Sequence, residues 1–280
     1  MRILHIARWA SARVYKQVLC QQGAGWNVTL MAGSTPHVGL HGLVVRRMGW
    51  CPFDVLERLA FDVVVFHTTI STAHETMPRI APRMIWDCHD YVGNVYNGFD
   101  AVTCPSRGMA DKFDNGCVVY SKVPAMLWPT WSERYIDAVV FQGTMGNGEA
   151  WGDYEGLEAR IGRPVFFYPS GDVIEGHKRC KLMRRVSYAE LLSVMSEYAI
   201  GYAGASREDV TIDDCVTNKY WEYIAAGLPV MLYNSEEMSQ LSLGYSPDRG
   251  AMRNAIMAYK HSFTMEAEIG KMKEAYEFSR

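Results

Sequence analysis

Short apolar runs recur along the chain, and the stretches between them alternate between helical periodicity and turn residues. Arg2 to Ala7 reads as a buried first strand, and residues 11 to 22 as a helix stopped by Gly23 and Gly25. Asn27 to Ala32 and Leu43 to Arg47 follow as strands, and a short helix is expected from Asp54 to Leu59. Phe61-Asp-Val-Val-Val-Phe-His67 has the composition of a strand buried on both faces. A helix over 70–79, trimmed by Pro78 and Pro82, leads to a strand from Arg83 to Asp90. Asp100 to Ser106 is the next strand, with Ser106 placed to cap a helix over 107–113, and Cys117 to Ser121 closes the series. Strands alternating with helices in this way predict a parallel sheet covered on both faces.

The pattern breaks at 124–136, where Pro124, Trp128, Pro129 and Trp131 show no periodicity, and then restarts. Strands are expected at Asp137–Gln142, Pro164–Tyr168 and Ala199–Ala203, with helices near 154–161 and 187–197 and a helical tail from about 248 to the end. Two α/β series imply two domains, 1–128 and 137–255. The tail 256–280 would form a last helix that can cross back to the first domain. Ligands in such sheets bind beyond the carboxyl ends of the strands.

The most informative stretch is Thr217-Asn-Lys-Tyr-Trp-Glu-Tyr-Ile-Ala-Ala-Gly-Leu-Pro-Val-Met-Leu-Tyr233. Thr217 or Asn218 can cap a short helix, Gly227 and Pro229 end it, and Leu228 to Tyr233 continues as a buried strand. Glu222 lies one turn into the helix, eight residues after Asp214. This acid pair and the helix-Gly-Leu-Pro-Val unit resemble the donor-binding signature of family-4-like glycosyltransferases, with Asp214 where that family usually has Glu. The resemblance implies the GT-B fold, two Rossmann-like domains facing a cleft. It also implies transfer of a sugar from a nucleotide-diphosphate sugar, with retention of configuration. By the same resemblance Glu222 would accept hydrogen bonds from the ribose hydroxyls and Asp214 would face the donor sugar. A carboxylate suits that task because it accepts from two neighbouring hydroxyls at once. Asn218 and Lys219 open the helix at the donor site, and Lys219 can either touch a phosphate or pair with Glu222. Read without the family, the unit is a packing helix with one exposed Glu.

Trp86-Asp-Cys-His-Asp90 is similar to the family's His-containing motif of the first domain, which would bring His89 to the donor sugar or the acceptor hydroxyl. The other reading is a structural histidine paired with Asp87 or Asp90. Gly143-Thr-Met-Gly-Asn-Gly148 follows the first strand of the second series, where the family binds phosphate or sugar, and so nominates Gly143 and Thr144. Ser170 after the next strand is a further candidate for the nucleotide. In place of the family's glycines after the first strand the chain carries Ala7-Arg8-Trp9, and Arg8 either reaches the phosphates or belongs to a plain loop. The basic run His177 to Arg185 offers Lys178 and Arg179 to a phosphate, or is a solvated surface.

Composition changes this picture little. The seven cysteines form no Cys-x-x-Cys pair and no zinc pattern, as expected of thiols in a reducing cytoplasm. No apolar run is long enough for a transmembrane helix, and the first residues enter a strand without a signal peptide. No Asp-x-Asp motif stands at a strand end. Metal-independent transfer without a cofactor is expected, the leaving diphosphate being met by basic residues and backbone N–H groups. Residues 1–128 hold 12 Lys/Arg against 9 Asp/Glu, about +3, and the remainder 16 against 22, about −6. Either the first domain meets an anionic partner or the difference is a solvated surface.

With only 280 residues the chain is short for the fold. In this it resembles bacteriophage enzymes that glycosylate hydroxymethylated pyrimidines in DNA, and an acceptor on a surface polysaccharide or glycan is the other reading. A degenerate GT-B protein that binds nucleotide or glycan without turnover is the non-catalytic alternative. A nucleotide-sugar epimerase would need a Gly-x-Gly-x-x-Gly loop that residues 8–13 lack.

Overall fold

The computed structural model describes residues 1–7, 11–32, 45–47, 60–67, 79–89, 98–143, 158–159, 161–169, 181–204, 216–233, 236–241 and 248–277. The chain divides into two compact units, Met1–Pro124 with Met265–Arg280, and Ala125–Thr264. The apolar pattern suggested limits at 128 and 255, and the packing puts them at Pro124 and Thr264.

In the first unit seven strands form one parallel sheet. They are β1 (Arg2–Ala7), β2 (Asn27–Ala32), β3 (Val45–Arg47), β4 (Val63–His67), β5 (Arg83–Asp87), β6 (Ala101–Cys104) and β7 (Gly116–Val118). Their order is β3-β2-β1-β4-β5-β6-β7, with each pair parallel. Alternate residues serve opposite faces. Ile3, Val63, Val65 and Ile85 pack on one side with Val14 and Val18 of helix Ala12–Gly23, and with Met265, Met272 and Tyr276 from the chain's last segment. Leu4, Val64, Phe66 and Met84 pack on the other side. Fully burying one such side chain stabilises by about 1.5–3 kcal/mol, so the face closed by residues 265–276 matters to the whole unit.

Polar contacts fasten that last segment to the first unit. Met265 N donates to the Val123 carbonyl at 3.2 Å, Lys122 Nζ donates to Glu268 Oε1 at 2.5 Å, and the Arg83 guanidinium reaches the Ala275 carbonyl at 2.9 and 3.1 Å. The expected continuous tail helix is in fact broken into Arg249–Ala258, Lys260–Phe263, a 3-10 turn at Met265–Glu268 and Ile269–Tyr276. Its first two pieces belong to the second unit.

The second unit holds a five-stranded parallel sheet, β8 (Ile136–Gly143), β9 (Val165–Pro169), β10 (Lys181–Leu182), β11 (Tyr198–Gly204) and β12 (Val230–Tyr233), in the order β10-β9-β8-β11-β12. Val139, Phe141, Phe167, Ile200 and Tyr202 build its core. Ser187 caps helix Tyr188–Met195 through Glu190 N, and Asp248 caps Arg249–Ala258 through Gly250 and Ala251. Helix Asn218–Ala225 ends at Gly227, whose φ of 72° and contact with the Trp131 ring both exclude a Cβ. Trp131 also donates to the Ala225 carbonyl at 2.9 Å, and Arg249 and Arg253 bind carbonyls of Ser132 and Ser196. The stretch read as a connection is therefore packed into the second unit.

Several local expectations change. Ser106 and Thr217 stand at helix N-caps, but neither side chain caps its helix. The helix after Ser106 is short, Arg107–Ala110, and the strand from Arg83 ends at Asp87. Strand β10 and helix Glu236–Leu241 lie in polar stretches that gave no periodic signal. The helix expected at 54–59, all but the last residue of the one at 70–79 and most of the one near 154–161 fall outside the described residues. None of the described helices is long and apolar enough to cross a membrane.

Candidate active site

At the carboxyl end of the first sheet the register sets His67 of β4 beside Asp87 of β5, and Asp87 beside Thr103 of β6. These three share the sheet face covered by helix Ala12–Gly23, which offers Arg13, Gln17 and Gln21 four residues apart, so that they lie on one side of the helix. All six are buried, as is His5 of β1.

Asp87 is the hub. Arg13 grips it with two bonds, Nε to Oδ2 at 2.9 Å and Nη2 to Oδ1 at 2.6 Å. Thr103 Oγ1 and Gln17 Nε2 donate to Oδ1 at 2.6 and 3.2 Å. His67 Nδ1 and His89 Nε2 lie 2.9 and 2.7 Å from Oδ2. Behind His67, its Nε2 is 2.7 Å from His5 Nδ1. His5 Nε2 is 2.8 Å from the Gln21 side-chain amide, whose other end is 3.1 Å from the Tyr276 hydroxyl. Burial alone would raise the Asp87 carboxyl, but the Arg13 guanidinium and the two imidazoles hold it well below the usual carboxylate range. Burial lowers His67, and burial followed by the neighbouring His67 lowers His5 to about 3. Both imidazoles are neutral at physiological pH.

His89 is the member of this network that reaches the surface, with its side chain 12% exposed. It is paired with Asp87, as one of the two sequence readings held. His67, Asp87 and His89 are also the one group of His, Cys, Asp or Glu among the described residues close enough to share an ion. The two-pronged Arg13 contact already supplies a cation to the carboxylate, and the geometry serves hydrogen bonding.

The second cluster sits at the carboxyl end of β8. Glu222 is buried, not exposed, at 2% of its surface. Its carboxylate accepts from Gln142 Nε2 and, at 3.0 Å, from the Tyr188 hydroxyl. Gln142 is fixed in turn by its backbone N–H donating to the Tyr223 hydroxyl at 3.1 Å. Gly143 follows with a φ of 148°, and a Cβ there would fall 2.6 Å from Lys219 Cε. The backbone glycine thus makes room for the Lys219 side chain, whose Nζ lies 5.3 Å from the centroid of the Phe141 ring. Asn218 begins the helix and is partly buried. Gly143, Lys219 and Glu222 are therefore brought together. Asp214, Thr144, Ser170, Arg8, Lys178 and Arg179 fall outside the described residues.

Sequence reasoning missed Arg13, Gln17, Gln21, His5, His67 and Tyr276. The available signal was polarity where the pattern demands apolar residues: two histidines in buried strands, and three polar positions on the helix side that should face a sheet.

No family model matches the sequence, and no curated protein does. Solved structures do. AviGT4, a glycosyltransferase involved in avilamycin A biosynthesis, is 15% identical and superposes with a TM-score of 0.67, covering 99% of this chain and 97% of that one. An alpha-glucosyltransferase in complex with UDP-glucose and DNA containing an abasic site is 11% identical, with a TM-score of 0.57 over 99% of this chain and 94% of that one. The complex of an alpha-glucosyltransferase with UDP and a 13-mer DNA containing an HMU base gives 12% and 0.58 over the same shares. With its two parallel α/β sheets and this likeness along nearly the whole length, the chain has the GT-B fold.

Proposed function

We propose that this protein is a glycosyltransferase that moves a sugar from a nucleotide-diphosphate sugar to an acceptor hydroxyl. The observation that carries the reading is Glu222, a buried carboxylate fixed by Gln142 and Tyr188 at the carboxyl end of β8, in a chain folded like nucleotide-sugar enzymes. A buried polar side chain is costly unless hydrogen-bonded, and the Gln142 and Tyr188 contacts both satisfy and orient this one. In this reading Glu222 takes the ribose hydroxyls, Ser170 meets the nucleotide, and Asn218, Lys219 and the Gly143–Thr144 backbone serve the phosphates with Arg8, Lys178 and Arg179. Asp214 and His89 act at the sugar and the reacting hydroxyl. Transfer proceeds without a metal or cofactor, the diphosphate charge being met by basic side chains and N–H groups.

For the acceptor, the excess of Lys and Arg in residues 1–128 and the likeness to glucosyltransferase–DNA complexes favour a hydroxymethylated pyrimidine in DNA. The higher TM-score to AviGT4, a glycosyltransferase involved in avilamycin A biosynthesis, favours a glycan or other non-DNA hydroxyl as the second reading. A screen of nucleotide sugars for nucleotide diphosphate release, run with and without hydroxymethylated DNA, tests both. Release stimulated by that DNA supports the first reading, and release stimulated only by a glycan supports the second. Donor binding without release under any condition would leave a binding protein.

A further inference from the structure

The proton count of the buried network has one economical solution. Both orientations of the Gln21 amide meet His5 and Tyr276; only the one with oxygen toward His5 also lets Nε2 donate to the Met272 sulfur at 3.4 Å, a weak acceptor. With the oxygen toward His5, the His5 proton must sit on Nε2 and His5 Nδ1 must accept from His67 Nε2. His67 then needs a second proton on Nδ1 to meet Asp87, which makes it a buried imidazolium close to Arg13. Arg13 already neutralises Asp87, so a second cation in this fully buried site goes uncompensated. With the nitrogen toward His5, every donor points the same way. Tyr276 donates to Gln21, Gln21 to His5 Nε2, His5 Nδ1 to His67 Nε2, and His67 Nδ1 to Asp87 Oδ2. Both imidazoles stay neutral, at the cost of the one weak contact between Gln21 Nε2 and the Met272 sulfur.

This direction decides His89. Its Nε2 lies 2.7 Å from Asp87 Oδ2 and 3.2 Å from His67 Nδ1. The first contact is with an acceptor and the second with a nitrogen that already carries a proton, so a bare Nε2 would set its lone pair against the carboxylate. The proton is therefore on Nε2, and the neutral ring keeps its lone pair on Nδ1. We propose that the buried chain from Tyr276 through Gln21, His5, His67 and Asp87 locks His89 in the Nε2–H tautomer and presents its Nδ1 as the acceptor for a substrate hydroxyl. Asp87, His67, His5, Gln21 and Tyr276 are positioning residues, and His89 alone meets substrate. Tyr276 lies in the chain's last described helix, so that segment helps set the protonation of a site near β5. The hydroxyl's identity rests on the proposed glycosyl transfer, and the tautomer lock does not.

The lock is read without any activity, by long-range proton–nitrogen correlation spectra of the full chain labelled with nitrogen-15 in its histidines at neutral pH. His5 and His67 are expected as Nδ1–H and His89 as Nε2–H, the last signal being assigned by its loss in His89→Gln. An Nδ1–H His89, or a His67 protonated on both nitrogens, overturns the proposal. Gln21→Glu replaces the amide donor by an acceptor and is expected to move the His5 proton to Nε2. An unchanged His5 in that folded variant also overturns the lock, and if the variant fails to fold the wild-type spectrum still decides.

The hydroxyl contact is read separately. An Asn amide oxygen can stand near the position of Nδ1, whereas Gln reproduces the Nε2 donor. His89→Asn is therefore expected to keep about tenfold more turnover than His89→Gln, the effect of one hydrogen bond of roughly 1.4 kcal/mol. If the hydroxyl belongs to the donor sugar, His89→Gln weakens nucleotide-sugar binding relative to the nucleotide diphosphate. If it belongs to the acceptor, donor binding is unchanged and the loss follows acceptor concentration. Equal turnover in both variants removes the outward acceptor role, whatever the spectra show.

Discussion

Lowering the pH should unfold the first unit well before it affects exposed carboxylates, because of His5. In the folded protein this imidazole stays neutral down to about 3, whereas in the unfolded chain it takes up a proton near the ordinary 6.5. Between those values the unfolded state binds one proton more, so stability rises with pH there and is lost as the pH falls. The slope approaches about 1.4 kcal/mol per pH unit, and integrating from about pH 7.5 to about pH 5 gives a loss of roughly 2 kcal/mol from His5 alone. His67, also lowered by burial, pulls in the same direction. Asp87, held well below its ordinary value, adds a further loss once the pH falls below the range where unfolded carboxylates protonate. Against a total of about 5–15 kcal/mol for a typical domain, the loss is large. The assay is urea unfolding at several pH values, read by hydrogen-exchange mass spectrometry on peptides from β1, β4 and β5, which report this unit by itself. A His5→Gln variant should show a slope smaller by about one proton near pH 5. A flat stability between about pH 6.5 and pH 5 in the wild type would refute the neutral buried pair. A His5→Gln slope equal to that of the wild type would refute it too.

Other outcomes follow from the second unit and the proposed reaction. Glu222→Ala should weaken nucleotide-sugar binding by roughly 1.5–3 kcal/mol, about 10- to 150-fold in Kd by calorimetry, and unchanged affinity in the folded variant removes Glu222 from the site. If DNA is the acceptor, turnover should fall steeply between low and physiological salt, and replacing Lys or Arg of the first unit should flatten that slope. A salt-insensitive rate points to a neutral glycan. His89→Ala and Asp214→Asn should each lower turnover far more than nucleotide diphosphate affinity, since neither is assigned to the base or ribose; near-normal turnover in both would move the chemistry elsewhere. Chelation with EDTA should leave turnover unchanged, and a loss restored by a divalent cation would contradict the metal-independent reading.

Most strands of both sheets were legible because buried parallel strands leave uninterrupted apolar runs, as in Val63 to Phe66 and Ala138 to Phe141. The 218–233 unit was legible because Gly227 and Pro229 mark a turn with a physical cause. Strand β10 was not, since two paired residues with exposed side chains leave no period to detect. Glu222 and His89 were singled out, but their surroundings were not. Asp87 lies 74 residues from Arg13 and 20 from His67, and only the sheet register and the helix lying over it bring them together. Nothing local in the sequence encodes that meeting, although the misplaced polarity of His5, His67 and the Arg13–Gln17–Gln21 stripe does mark the residues that need partners. Tyr276 was harder still, because its partner Gln21 is 255 residues away.

The return of residues 265–280 to the first unit has a consequence for how the protein is made. When a ribosome has delivered residues 1–124, the sheet face that Met265, Met272, Ala275 and Tyr276 will cover is still bare. The 140 residues from Ala125 to Thr264 must be translated before the covering segment emerges. At about 5–20 residues per second that is a wait of roughly 7–28 s, long compared with the collapse of a small chain. During this interval the nascent first unit presents an apolar surface with its histidine chain unterminated. It is then a natural client for a chaperone that binds exposed hydrophobic faces, and a stop codon anywhere between 125 and 264 would leave that client permanently unfinished.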